Sequence, residues 1–304
     1  MTNHSDPISY LIHSTVRILC IDKDGEQSSG TGYIFNFCEH EGNAIPCVIT
    51  NKHVINGAVR GVFHLTLRKE DGSPDLGNHE QIVVEGLEKL CLHHPNPAID
   101  LAALPIGAIL NSASKSGKNY YYVHIGKQLL PTEELLHALS PMEQIVMIGY
   151  PNGIWDQAHN LPIIRRGITA THARLNLNGK PEFLIDAACF PGSSGSPVFL
   201  ANIGNYVGAD GSINLGTRIA LLGTLYAGPQ HTTTGDVIVV EVPTDTKAVA
   251  VGSIPNNLGY VISSTELQAL EELTKSISET PMSRNAHCRC GSGKRFKHCC
   301  GLSG

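Results

Sequence analysis

Between residues 16 and 242 the apolar residues of this chain come in short runs and almost never at helical spacing. The runs are VRILCID (16–22), GTGYIFNF (30–37), IPCVITN (45–51), VFHLTLR (62–68), LAALPI (101–106), QIVMIGY (144–150), EFLIDAAC (182–189), SPVFL (196–200), RIALLGTLYAG (218–228) and VIVVEV (237–242). Each is rich in β-branched or large apolar side chains, and clusters of Gly, Pro, Asn and Asp separate them, which is the pattern of strands joined by turns. Many short strands with so little helical periodicity point to an all-β sandwich or barrel. A more polar span, roughly Asn119 to Ser140, divides the runs into two halves of similar length, as two barrels in tandem would require.

One helix is expected after the strands. Ser263 is placed as an N-cap with Glu266 as its capping-box partner. Leu267, Leu270, Leu273 and Ile277 follow as an apolar stripe that packs on the preceding domain, and Thr280-Pro281 ends the helix. The chain is thus divided into a β domain over 1–260, a helix and linker over 261–283, and a small terminal unit over 284–304.

Composition narrows the function classes. With 41% apolar and 16% charged residues the chain has the makings of a packed core and is not of the disordered class. Of its 22 basic and 27 acidic residues, residues 281–304 hold five basic and no acidic ones, leaving residues 1–280 at 17 − 27 = −10. A large part so acidic argues against nucleic acid as its main partner. No run reaches 18 apolar residues, and the first 20 show no signal-peptide pattern, so the expected compartment is the cytoplasm, with no membrane partner. Disulfides are then not expected for the scattered Cys20, Cys38, Cys47, Cys91 and Cys189, and Cys47 reads as a small buried hydrophobe.

Three segments carry chemistry. VITNKHVI sets His53 just past a strand, PAIDLAALPI puts Asp100 at the start of one 47 residues on, and FPGSSGSPVF places Ser194 in a Gly-rich turn 94 residues further. A serine hydroxyl needs a neighbouring base to take its proton. An imidazole can accept it and pass it on, and a buried carboxylate fixes the imidazole's tautomer. The N–H groups of Gly192 and Ser194 would make a two-donor pocket for a developing oxyanion. Each signal is weak alone; order, spacing and strand context give them force together. Ser193 and Ser196 read as turn formers, His93 and His94 as surface-loop residues, and Trp155 as loop packing.

On GTGYIF, VITNKHV, DLAAL and GSSGSP the chain resembles the trypsin-like, chymotrypsin-fold serine proteases over roughly residues 10–260. The resemblance implies two six-stranded Greek-key barrels with the site in the cleft between them. It makes His53 the general base, Asp100 its orienting partner, Ser194 the nucleophile, and Gly192 and Ser194 the oxyanion hole. Secreted digestive members carry an Asp just before the nucleophile that pairs with a new N-terminus. Here that residue is Ser193, so zymogen activation of that kind is not expected. By the same resemblance the floor of the primary pocket is Ala188, beside Cys189, and the strand that pairs with substrate is Tyr226, Ala227 and Gly228. An uncharged floor points to a small or apolar residue before the cut rather than Arg or Lys.

The tail reads NAHCRCGSGKRFKHCCG, four thiols within 13 residues. That crowding in a chain without a disulfide framework favours one Zn²⁺ in a unit too small to fold without it. The stretch resembles the SEC-C motif, which implies Cys288, Cys290, Cys299 and Cys300 as ligands, with His298 an outside candidate for the fourth place. The basic knuckle is expected to dock a protein partner, with RNA a weaker possibility.

The combined expectation is an intracellular serine endopeptidase that acts on protein substrates and uses a structural zinc knuckle for recruitment, in regulated proteolysis, stress or antiviral defence. Two alternatives stay open at this point: an esterase on the same triad, and a catalytically silent adaptor that binds protein or RNA through the knuckle.

Overall fold

The computed structural model describes residues 6–208, 210–228, 230–236, 249–255, 257–280, 283–285 and 295–298. Among these residues eighteen strands run in chain order. The first half contributes β1 (Thr15–Asp22), β2 (Gln27–His40), β3 (Asn43–Thr50), β4 (Ala58–Arg68), β5 (Pro74–Glu85), β6 (Leu92–His93), β7 (Ala102–Pro105) and β8 (Tyr120–Tyr121). The second contributes β9 (Gln144–Gly149), β10 (Ile163–Thr169), β11 (Glu182–Asp186), β12 (Pro197–Asn202), β13 (Asn205–Val207), β14 (Ile213–Leu215), β15 (Arg218–Ala227), β16 (Gln230–Asp236), β17 (Val249–Pro255) and β18 (Leu258–Ser263).

The second half contains a closed six-stranded barrel, β10-β11-β18-β15-β12-β9. The first half departs from the expected six strands. It is an eight-stranded sheet of order β5-β4-β1-β2-β3-β7-β6, with β8 added beside β4 and its two end strands unjoined. Three of its strands are polar or very short: β5 reads PDLGNHEQIVVE, and β6 and β8 have two residues each. Two small hairpins, β13-β14 and β16-β17, stand outside both sheets. The run 237–242, expected as a strand, lies outside the described residues.

Each half has its own core, and a third core joins them. Val16, Ile18, Ile34, Phe63 and Leu104 fill the first half; Ile145, Phe183, Val198 and Val261 fill the second. Between them Tyr33, Phe35 and Ile49 from the first half pack with Ile148, Phe199 and Leu221 from the second. Tyr33 Oη and Thr224 Oγ1 close the seam with a 2.9 Å hydrogen bond, and Tyr150 Oη donates to Thr15 O at 3.2 Å. Burial pushes both tyrosine hydroxyls well above their usual range. Cys47 is fully buried, as expected of a small hydrophobe.

The terminal helix spans Leu267–Glu279 and stops at Thr280. Leu267 and Leu270 enter the shared core with Phe35 and Phe37 of β2. Its start corrects the expected capping box. Ser263 caps a single 3₁₀ turn, Ser264–Glu266, by accepting from Thr265 N–H, and the Glu266 carboxylate lies 3.4 Å from His94 Nε2 instead of turning back on Ser263. His94 is correspondingly no surface residue: it is 4% exposed. No helix among the described residues is long and apolar enough to cross a membrane.

Candidate active site

His53 sits in the one-turn helix Lys52–Ile55 that follows β3. Buried Val54 and Ile55 fix that turn, and Gly30 on β2 is what lets it approach: a Cβ at Gly30 would stand 2.5 Å from Val54 Cγ1. Asp100 is held on the opposite strap. Ile99 and Leu101 on either side are buried, Asn51 Nδ2 donates to Asp100 O at 2.7 Å, and His94 N–H donates to Leu101 O at 2.9 Å. The two side chains meet as a pair. His53 Nδ1 lies 2.5 Å from Asp100 Oδ2, while Asp100 Oδ1 accepts the His53 backbone N–H at 3.1 Å.

Ser194 belongs to the turn between β11 and β12. Two glycines make that turn possible. Gly192 has φ +83° and a Cβ there would lie 2.6 Å from Tyr150 O; Gly195 has φ +87° and packs its Cα against Thr31 O. Thr31 on β2 then ties the turn to the first half: its N–H donates to Ser194 O at 2.8 Å and its hydroxyl to Gly192 O at 2.9 Å. Gly195 N–H donates to Leu225 O and Leu225 N–H to Ser196 O, which stitches the turn to β15.

One further bond sets the direction of the Gly192 N–H. Asn152 N–H donates to Pro191 O at 2.6 Å. In a trans peptide the carbonyl and the next N–H point in opposite directions, so the Gly192 N–H faces away from the 150–153 turn. Neither that N–H nor the Ser194 N–H has an acceptor among the described residues. Gly192, Ser194 and His53 line one cleft of about 340 Å³, together with Ser28, Ser29, Cys189, Phe190, Leu225, Ala227 and Gly228.

At rest the Ser194 hydroxyl donates to Tyr226 O at 3.4 Å and makes no hydrogen bond to His53. A long or displaced catalytic contact of this kind is usual without substrate. Cys189, Ala227 and Gly228 line this cleft, and Ala188, expected at the pocket floor, and Tyr226, expected on the substrate-pairing strand, are not among its lining residues. The Tyr226 side chain turns to Glu182, donating at 2.6 Å, and its hydroxyl is pushed far up by burial and then by that carboxylate. Ala188 gives its carbonyl to Arg165. Burial raises the Cys189 thiol to about 11.

Three residues that hold the Ser194 turn escaped the sequence reading: Thr31, Asn152 and above all Arg165, whose guanidinium donates to Ala188 O and, at 2.6 Å, to Ser193 Oγ. Thr31 lies within the GTGYIF segment, and nothing local marks the other two. Trp155 packs in its loop against the rings of His64 and His79, 5.1 and 5.7 Å between centroids. Cys288, Cys290, Cys299 and Cys300 lie outside the described residues, among which no group of three or more metal-ligating side chains gathers.

A family model described as the trypsin-like peptidase domain matches residues 30–208, which contain His53, Asp100 and Ser194. Among solved structures the chain is similar to the HtrA-type protease AlgW with tripeptide, at 18% identity and TM-score 0.44 over 90% of this chain and 62% of that one. It is similar to the serine endoprotease from Yersinia pestis, at 17% identity and TM-score 0.45 over 92% and 68%. A protease of M. tuberculosis in its active form matches at 15% identity and TM-score 0.44 over 95% and 90%. A 50-residue stretch is 46% identical to a UPF0225 protein of Vibrio parahaemolyticus, covering 15% of this chain and 30% of that relative. The chain therefore spans less than two thirds of AlgW and under a third of the curated relative.

Proposed function

The chain belongs to the trypsin-like peptidase domain family, and from that premise we propose that it is an endopeptidase whose nucleophile is Ser194, with His53 as base and Asp100 as the group that orients it. The observation that carries this is the His53–Asp100 pair, 2.5 Å apart, opening on the same cleft as Ser194 and the free N–H of Gly192.

In the reaction the Ser194 hydroxyl leaves the Tyr226 carbonyl and turns to His53 Nε2. Its oxygen attacks the scissile carbonyl carbon while its proton passes to the imidazole. Asp100 holds the Nδ1 proton and stabilises the imidazolium. The carbonyl oxygen, now negative, is met by the N–H groups of Gly192 and Ser194; one such donor is generally worth about 3–4 kcal/mol of barrier. His53 returns the proton to the leaving amine, which leaves an acyl group on Ser194. Water, deprotonated by His53, then releases the acid and restores the serine.

The described lining of the cleft holds no acid, so a substrate Arg or Lys would find no counter-charge there. A small or apolar residue before the cut suits Cys189, Ala227 and Gly228. Substrate would bind extended along Tyr226, Ala227 and Gly228, adding a strand. The proposed substrate is a protein, and the proposed compartment is the cytoplasm.

The terminal unit is proposed to hold one structural Zn²⁺ through Cys288, Cys290, Cys299 and Cys300. Four thiolates suit zinc in tetrahedral geometry, and the ion would supply folding free energy rather than chemistry. With five basic and no acidic residues over 281–304, the knuckle fits an acidic protein surface and serves recruitment.

A peptide library incubated with the full chain tests the reading. Cleavage products should carry small or apolar residues before the cut and vanish with Ser194→Ala or His53→Ala. Equal cleavage by Ser194→Ala would sink it.

A further inference from the structure

The segment Ala188–Ser194 carries both proposed oxyanion donors, and one cation beneath it bonds to its first residue and to the residue before its last. Arg165 lies on β10, a strand in which it is followed by the exposed Arg166. Its guanidinium donates to Ala188 O at the start of the segment and to Ser193 Oγ, 2.6 Å away, next to the nucleophile. Its Cζ stands 5.9 Å from the centre of the Phe190 ring. No carboxylate among the described residues pairs with it, and its Nε is buried without a partner.

A charged side chain is costly to withdraw from water unless its bonds are made. Burial lowers the affinity of Arg165 for its proton, yet a guanidinium stays charged in proteins. The fold therefore keeps a cation whose two fixed bonds both fall on one loop. Charge-assisted bonds of this type are stronger than neutral ones, and the planar fork sets the spacing of its two acceptors. Between them Ser193 N–H donates to Phe190 O at 3.0 Å, closing the turn, while Asn152 takes the Pro191 carbonyl. Holding Ala188 and Ser193 fixes where this turn can sit, and with it the direction of the Gly192 N–H.

We propose that Arg165 is a positioning residue that locks the oxyanion loop with its donors facing the cleft, so that a half-buried cation under Ser193 orders the loop. The proposal rests on the peptidase reading for its catalytic consequence, but its structural core stands apart from it.

The test compares the full chain with Arg165→Met, which keeps the aliphatic length without charge or donors, and Arg165→Lys, whose point charge can serve only one acceptor well. Two measurements are made on each: amide exchange of the peptide spanning 186–197 by mass spectrometry, and kcat and KM on a cleaved peptide. Arg165→Met should exchange at least tenfold faster in that peptide with distant strands unchanged. It should lose at least 100-fold in kcat with KM within about threefold, since an oxyanion hole acts mainly on the transition state. Arg165→Lys should fall between, and methylguanidinium should restore at least tenfold of the kcat that Arg165→Met lost. Unchanged exchange in 186–197, or a uniform rise over all peptides, would overturn the lock. So would an unchanged kcat. If wild type proved inactive while 186–197 alone loosened in Arg165→Met, the lock would stand and the peptidase reading would fail.

Discussion

Asp100 grips His53 at two points: Oδ2 lies 2.5 Å from the ring Nδ1, and Oδ1 accepts the backbone N–H of the same residue at 3.1 Å. The second contact fixes the histidine's main chain and the first fixes its ring, so one carboxylate sets both position and tautomer. Asp100→Asn keeps the shape but can favour the wrong tautomer. We expect a loss of about 10⁴-fold in kcat with a small change in KM. Steady-state kinetics on any cleaved peptide would check this, and a loss under tenfold would assign the aspartate a packing role.

Gly192→Ala tests the oxyanion loop from the other side. A Cβ there meets Tyr150 O at 2.6 Å and the backbone must keep φ +83°. The loop should shift and kcat fall about 10²–10³-fold, as for loss of one donor. Unfolding by urea should move far less than the kinetics do.

A buried network away from the cleft carries stability. Glu143, with its side chain 5% exposed, accepts from Arg218 Nη2 at 3.1 Å, from Ser140 N–H at 2.8 Å and from Asn202 Nδ2 at 3.3 Å. Arg218 also lies over the Tyr206 ring at 3.7 Å. Glu143→Ala strands a buried cation and should cost about 3–5 kcal/mol in urea unfolding.

His64 gives a pH signature. Burial first, then His79 and Arg17, lower its affinity for a proton below the ordinary value of 6.5. The unfolded chain then binds a proton at a higher pH than the folded chain does, so this contribution to stability is intact above about pH 6.5 and is lost as pH falls below it. His64→Gln should flatten the fall in unfolding free energy between pH 7 and pH 5. An identical slope in both proteins would remove His64 as the cause.

Much of this molecule was legible before any coordinates. Within the described residues, apolar runs separated by turn residues formed strands: 16–22, 45–51 and 144–150 fall within or against β1, β3 and β9. What escaped has physical causes. β5 and β10 are half-exposed strands whose polar sequences, PDLGNHEQIVVE and IIRRGIT, hide the period of two. Glu266 matched a capping box by spacing, but tertiary packing offered it His94, and that pairing won. The His53, Asp100 and Ser194 motifs announce themselves because each needs a particular local backbone. Arg165 does not, because its role exists only where β10 passes under a loop some 25 residues later in the chain.

The zinc proposal has its own check. Full-length protein should carry one Zn²⁺ per chain, released by a mercurial and lost when Cys299 and Cys300 are both replaced by Ser. Cys20, Cys47, Cys91 and Cys189 should stay slow toward iodoacetamide at neutral pH, since burial raises each thiol, Cys20 and Cys91 to about 12. Rapid labelling of those four in the native chain would contradict their placement in the cores.

The measurement closest to the central claim is covalent labelling of the purified protein with a fluorophosphonate, read by intact and peptide mass spectrometry beside Ser194→Ala. The expected result is a single adduct on the peptide containing Ser194, absent from Ser194→Ala and slowed by Asp100→Asn. An unlabelled wild-type chain, or an adduct on another serine that persists in Ser194→Ala, would contradict the assignment of Ser194 as an activated nucleophile.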